Sequence, residues 1–181
     1  VVNPDATPTR AAYGVKHDEP TRSRYAAWSV DSTSSLNTGS ATATLSGLRI
    51  AKGDSALPEV VASEQAQNFV LIARENTSTT NRITAIARFN DVAQTTQNFT
   101  TTDNAVAFKI ERYGNVWNCF YSLTQFPDWT WTKLAQFEDA NGDMSDITSL
   151  YLFSESFGTA DAQTAFGDFD NWKYYIGSGS I

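Results

Sequence analysis

The chain has 181 residues, with 13 Lys plus Arg against 20 Asp plus Glu, a formal net charge of −7, and 41% hydrophobic and 13% aromatic side chains. One domain with an aromatic-rich core suits those numbers, and the acidic balance lacks the basic footprint that binding to nucleic acid or insertion at an anionic membrane calls for. With one His, one Cys and one Met, most nucleophile, shuttle-base and transition-metal constellations drop out, leaving binding or chemistry by carboxylates.

Residues 1–24 carry Pro4, Pro8, Pro20 and the charged cluster Lys16 to Glu19 without a sustained period of 2 or 3.6. They read as an N-terminal arm or linker, followed by a β-sandwich domain over residues 25–181. A chain that opens Val1-Val2-Asn3-Pro4 is expected to be a processed product or an excised domain. From Tyr25 on, short β-branched or aromatic runs alternate with Gly, Asn, Asp, Ser and Thr, the pattern of an all-β domain. Strands are expected near Ala41 to Ile50, Asn68 to Arg74, Arg82 to Phe89, Ala105 to Arg112, Val116 to Leu123, Thr130 to Phe137, Ile147 to Ser154 and Thr164 to Ile176. No amphipathic helix stands out, and no stretch has the roughly 20 apolar residues of a membrane-spanning helix.

Ala105 to Phe137 carries the clearest local signal. Val106, Phe108 and Ile110 alternate with Ala107, Lys109 and Glu111 as a half-buried strand. Arg112-Tyr113-Gly114-Asn115 turns the chain, and the return strand sets Trp117, Cys119, Tyr121 and Leu123 on one face. Phe126-Pro127-Asp128 reads as a second turn, and Trp131 to Phe137 as a third antiparallel strand. Such a meander needs a second sheet to cover its apolar face.

The runs "VAFKIERYGNVWNCFY" from Val106 to Tyr121, "WTWTKL" ending at Leu134, "SLYLFS" ending at Ser154 and "FDNWKY" from Phe169 to Tyr174 together resemble the concanavalin A-like jelly rolls of carbohydrate-binding modules and laminin-G-like or DUF1349-like domains. That resemblance, strongest over the last 80 or so residues, implies an all-β, concanavalin A-like jelly-roll sandwich of two antiparallel sheets. It makes Trp131 and Phe169 core anchors and has the Tyr25 to Ile50 region supply strands beside the final one. Residues 1–24 depart from it. In such modules an Asp in the final-strand motif, here Asp170, often holds a structural calcium; its alternative is a carboxylate accepting backbone hydrogen bonds at the sheet edge.

Glucanases of this architecture carry alternating acids on one strand, and Glu138-Asp139, Asp143 to Asp146, Glu155 and Asp168-Phe169-Asp170 do not reproduce that spacing. Asp168 and Asp170 lie on one face of a strand, roughly 7 Å apart along it, against the 5 to 5.5 Å or so between the carboxyl groups of a retaining glycosidase. Binding therefore outweighs catalysis. Asp139, Asn141 and Asp143 place hard oxygen ligands at alternate positions, as the start of a calcium loop does, although Met144 and Leu150 break the full EF-hand pattern. Against this stands a plain solvated turn. His17 reads as a solvated residue and Cys119 as an inert core thiol.

Sugar recognition uses aromatic faces for C–H stacking and polar groups for hydroxyls. Trp117, Trp129, Trp131, Tyr113, Tyr121, Phe126 and Phe157 form the pool, and most belong to the core. Trp129 beside its turn, Tyr113 at a hairpin tip and Phe157 in a loop spanning Glu155 to Gln163 are the exposed candidates. Asn76 and Asn98 open glycosylation-type triplets, which matter only in a eukaryotic secretory protein. The expectation is a non-catalytic domain binding a polysaccharide or other glycan, extracellular or on a cell or virion surface, as a module of a secreted polysaccharide-active protein or an adhesin. The alternatives are a structural virion or cell-surface component, such as a phage decoration or tail-appendage protein, docking on neighbouring protein subunits through its arm, and a hydrolase or lyase acting near Asp168 and Asp170.

Overall fold

The computed structural model describes residues 11–17, 25–34, 43–52, 68–77, 79–103, 105–144, 149–157 and 167–176. Among these the chain is all-β with no helix, and its strands form two antiparallel sheets. The strands are β1 (Ala11–His17), β2 (Tyr25–Ser34), β3 (Ala43–Ala51), β4 (Phe69–Asn76), β5 (Asn81–Phe89), β6 (Val92–Ala93), β7 (Gln97–Thr100), β8 (Ala105–Tyr113), β9 (Val116–Ser122), β10 (Thr132–Glu138), β11 (Ser149–Phe157) and β12 (Gly167–Ile176).

The seven-stranded sheet runs β1-β11-β3-β4-β5, with the short β6 and β7 both lying on the far edge of β5; the five-stranded sheet runs β10-β9-β8-β2-β12. The expected meander is β8-β9-β10, and the N-terminal β2 pairs beside the final strand β12 as the jelly-roll resemblance implied. β3, by contrast, joins the opposite sheet between β11 and β4. Ala11–His17 corrects the reading of residues 1–24 as an arm alone, because it pairs antiparallel with β11. With its Gly14, Lys16 and lack of clean alternation, it has the composition of an edge strand rather than of a central one.

The core lies between the sheets. Ile50 of β3, Val70 and Ile72 of β4, and Ile83 and Phe89 of β5 pack toward Phe108 and Ile110 of β8, Trp117 and Cys119 of β9, and Phe137 of β10. β3 and β4 are also buried on their other face, where Leu45, Phe69, Leu71, Ala73 and Phe153 form a second cluster. Burial on both faces explains why β4 opens as the unbroken apolar run Phe69 to Ala73 instead of alternating. Gly47 belongs to the same close packing, since a Cβ there would overlap the Ile72 carbonyl oxygen and come 2.8 Å from Ala73 Cβ.

Turns follow the local chemistry. Gly114, with φ of 59°, closes the β8–β9 hairpin, and Asn90 and Asp91, with φ of 46° and 66°, close β5–β6, as positive-φ hairpin residues do. Asn76, one of the glycosylation-type positions, is buried in β4, whereas Asn98 is exposed in β7. Leu123, expected inside with Trp117, is 40% exposed because β9 ends at Ser122.

Candidate functional site

The solvent-facing side of the five-stranded sheet carries the functional candidates. Alternation along β8 puts Lys109 and Glu111 on that side, opposite the buried Phe108 and Ile110. Along β9 it puts Asn118 and Phe120 there, opposite the buried Trp117, Cys119 and Tyr121. Register then lines these residues up: Phe120 is the Cα partner of Lys109 and of Lys133, and Asn118 of Glu111 and of Gln136.

β10 joins this face through an irregularity. Its pairing with β9 shifts between Lys133 and Ala135, and the extra residue changes which side chains face inward. Ala135 and Phe137 consequently enter the core, while Trp131, two residues before Lys133, falls on the outer side with Phe120. Trp131 is thus not the core anchor that the sequence suggested; it is half-buried against Lys109.

Four rings and one ammonium group form a continuous chain along this face. Phe126 meets Trp129 edge to face with centroids 5.6 Å apart, and Trp129 meets Trp131 at 5.2 Å. Lys109 Nζ lies 4.9 Å from the Trp131 centroid and 4.4 Å from that of Phe120. Both distances are inside cation–π range. The same Nζ bonds Glu111 Oε1 at 2.8 Å, so the ammonium is fixed between two rings and a carboxylate.

The loop carrying Phe126 and Trp129 is pinned from within. Ser122 Oγ accepts from the amides of Thr124 and Thr130, each at 3.1 Å. Thr124 Oγ1 donates to the Asp128 carbonyl at 2.7 Å and accepts from the Thr130 amide at 2.8 Å. Gln125 Nε2 ties the loop to the Ala105 carbonyl at 3.3 Å. Phe126, 44% exposed, is therefore displayed on a loop whose backbone is already ordered, which lowers the entropy lost when a ligand lands on it.

Of the residues singled out from sequence, Trp129 belongs to this aromatic chain. Tyr113 is 52% exposed at its hairpin tip, on the same side of β8 but four residues beyond Lys109, roughly 13 Å along the strand. Phe157, expected in a loop, is instead the last residue of β11, paired with Ala43 in the seven-stranded sheet. Lys109 and Phe120 were not singled out. Their signal was present as the partners, by alternation, of residues already assigned to the core.

The positions considered for calcium lie in two places. Asp139 is 1% exposed, and its Oδ1 and Oδ2 accept from the amides of Asp143 and Met144 at 2.8 and 2.7 Å. The Gly142 amide donates to the Asp139 carbonyl at 3.0 Å, with Gly142 at φ of 71°. Asn141 is exposed and Asp143 half-buried. This turn is closed by its own hydrogen bonds, and among the described residues no group of three His, Cys, Asp or Glu side chains is placed to share a metal ion. Asp170 lies in β12 as the Cα partner of Asp31 in β2, and Asp168 as that of Thr33.

Elsewhere the ionic groups have structural roles. Arg82 Nε and Nη2 bond the Glu75 carboxylate across β4 and β5 at 2.7 and 2.9 Å, and this hydrogen bonding raises the Arg82 pKa. Burial pushes the Cys119 thiol up, well above its ordinary range, consistent with an inert core cysteine.

Neither family models nor curated proteins match the sequence. Solved structures share the fold. A bifunctional GH43-CE protein of Bacteroides eggerthii is 16% identical, with a TM-score of 0.58, over 86% of this chain and 18% of that one. Alginate lyase AlyC3, in complex with dimannuronate, is 9% identical with a TM-score of 0.57 over 93% of this chain and 71% of that one. The CBM2 module of the evolved Dit of Lactobacillus casei BL23 phage J-1 is 7% identical with a TM-score of 0.56 over 89% and 67%. The chain spans under a fifth of the GH43-CE protein and most of the other two. These likenesses establish the two-sheet β-sandwich.

Proposed function

We propose that the chain is a glycan-binding β-sandwich domain whose binding platform is the chain of rings Phe126, Trp129, Trp131 and Phe120 with Lys109 between the last two. The observation that carries this reading is the ring spacing, 5.6 and 5.2 Å, on a loop pinned by Ser122 and Thr124. Stacking on such rings takes the C–H faces of a sugar, and Asn118, Gln136, Glu111 and Lys133 supply hydroxyl partners in the adjoining register rows. Neighbours described as glycoside hydrolase, alginate lyase and carbohydrate-binding module support a glycan ligand. An extracellular, cell-surface or virion-surface location is part of the same proposal.

Retention on polysaccharide affinity gels tests the platform. Trp129→Ala and Trp131→Ala are each expected to weaken binding about tenfold, the equivalent of about 1.4 kcal/mol, while Tyr113→Ala has a smaller effect. Retention that is indifferent to both Trp substitutions removes the proposal.

A second reading, catalysis, is favoured by the facing positions of Asp31 and Asp170 on adjacent strands of the same sheet. It requires release of reducing ends or unsaturated sugars, abolished by Asp170→Asn. Asp170 is also one of the positions considered for calcium, and Asp31 stands opposite it. A melting temperature lowered by EDTA and restored by calcium supports a cation bridging β2 and β12; a melt insensitive to both withdraws it.

A further inference from the structure

Arg74 lies on the inward side of β4, in the same alternation as Val70 and Ile72, with Ser46 of β3 and Ile83 of β5 as its Cα partners. It is 1% exposed, yet its Nε, Nη1 and Nη2 have no hydrogen-bond partner among the described residues. A guanidinium presents five donors and does not lose its proton in proteins. Burying it without partners is among the costliest arrangements a core can hold.

The surroundings accentuate the deficit. Ser46 Oγ, beside Arg74 across the sheet, is buried and unpaired among the described residues, and so is Asn81 Oδ1 two rows nearer the β4–β5 turn. Asp103 stabilises the Arg74 charge electrostatically, against burial that lowers the Arg74 pKa. It makes no hydrogen bond to the guanidinium; its Oδ2 accepts from the Thr101 hydroxyl at 2.7 Å, and Thr101 Oγ1 accepts from the Asp103 amide at 3.1 Å. The position is shallow along the strand, since Asn76 and Asn81 form the last pair before the turn.

We propose that Arg74 and Ser46 form an interior receptor for a small carboxylate, which enters at the end of the sandwich beside the β4–β5 turn. A carboxylate matches the planar fork of the guanidinium with two parallel hydrogen bonds and has lone pairs left for the Ser46 hydroxyl. The nearby negative charge of Asp103 selects a singly charged group over phosphate or sulfate. This site lies between the sheets, separate from the aromatic platform on the outer face, and stands or falls independently of it.

The test is thermal melting in carboxylate-free buffer at constant ionic strength, with acetate, glucuronate or chloride added. Acetate is expected to raise the melting temperature of the wild-type chain by several degrees in a saturable manner, as binding to the folded state alone does. A matching response to glucuronate identifies a sugar acid as the source, and a response to acetate alone a free small carboxylate. Arg74→Met, which replaces a buried charge by a side chain of similar volume, should fold and lose the response. Asp103→Asn should lower the concentration at half effect by removing the competing charge. Line broadening of labelled acetate by the wild type and its loss in Ser46→Ala give a second readout. A wild type unresponsive to carboxylates, an equal response to chloride, or a response surviving in Arg74→Met overturns the proposal, whether or not the aromatic platform retains polysaccharide.

Discussion

Cys119 shows how position in a sheet decides the chemistry of a side chain. It alternates with Trp117 and Tyr121 on the inward side of β9 and is fully buried, so burial disfavours the thiolate and raises its pKa. Folding then depends on the thiol staying protonated. This contribution is intact below the pKa of the unfolded thiol, about 8.5, and is lost as pH rises above it, because the unfolded chain releases a proton that the folded chain keeps. Native protein is accordingly expected to resist thiol reagents at pH 8 and to react with one equivalent after denaturation. The alkaline decline in melting temperature should be shallower in Cys119→Ala. Rapid modification of the native thiol would contradict its placement. That Cys119 belongs to the core was readable from alternation. That Arg74 sits inward was not, because a charged residue following five apolar ones looks like the exposed end of a strand.

At the scale of elements, Asp139 organises the turn after β10. Asp139 satisfies the Asp143 and Met144 amides and lets Met144 enter the core. Asp139→Ala leaves those donors without an acceptor, a loss of about 2 kcal/mol, which for a chain of this length lowers the melting temperature by roughly 4–8 °C. Asp143→Ala should change it little, since the Asp143 contribution to the turn is its backbone amide; equal losses in the two variants would show that the turn is held otherwise. β10 itself carries the sharpest difference between pattern and fold. In the sequence, Trp131, Lys133, Ala135 and Phe137 share one alternation and so one face. The register shift between Lys133 and Ala135 breaks that phase and turns Trp131 outward, where it joins Trp129. No local signal announces such a shift, because what fixes it is the pairing with β9 and the burial of Phe137 against the opposite sheet.

For the molecule as a whole, the strand order places the first and last described strands, β1 and β12, in different sheets. β1 covers the free edge of β11, and β2 lies between β8 and β12. Removal of residues 1–17 should therefore leave β11 as an exposed edge, lower the melting temperature and increase self-association measured by light scattering. Unchanged stability and solubility would mean that β1 contributes nothing to closing the sheet.

The sequence by itself determined the class of this protein: alternation, turn residues and aromatic content specify an all-β chain and most of its strand positions, because period and turn chemistry are local properties. It also determined that Trp117, Cys119 and Phe108 point inward and that Trp129 stands near a turn. Only the tertiary structure decided which strands share a sheet, that Ala11–His17 belongs to one, and that Trp131 and Lys109 stand together on the outer face while Phe157 lies in the other sheet. Those outcomes depend on pairings between residues far apart in the chain, and a one-residue shift in such a pairing moves a side chain from the core to the surface without altering the sequence around it.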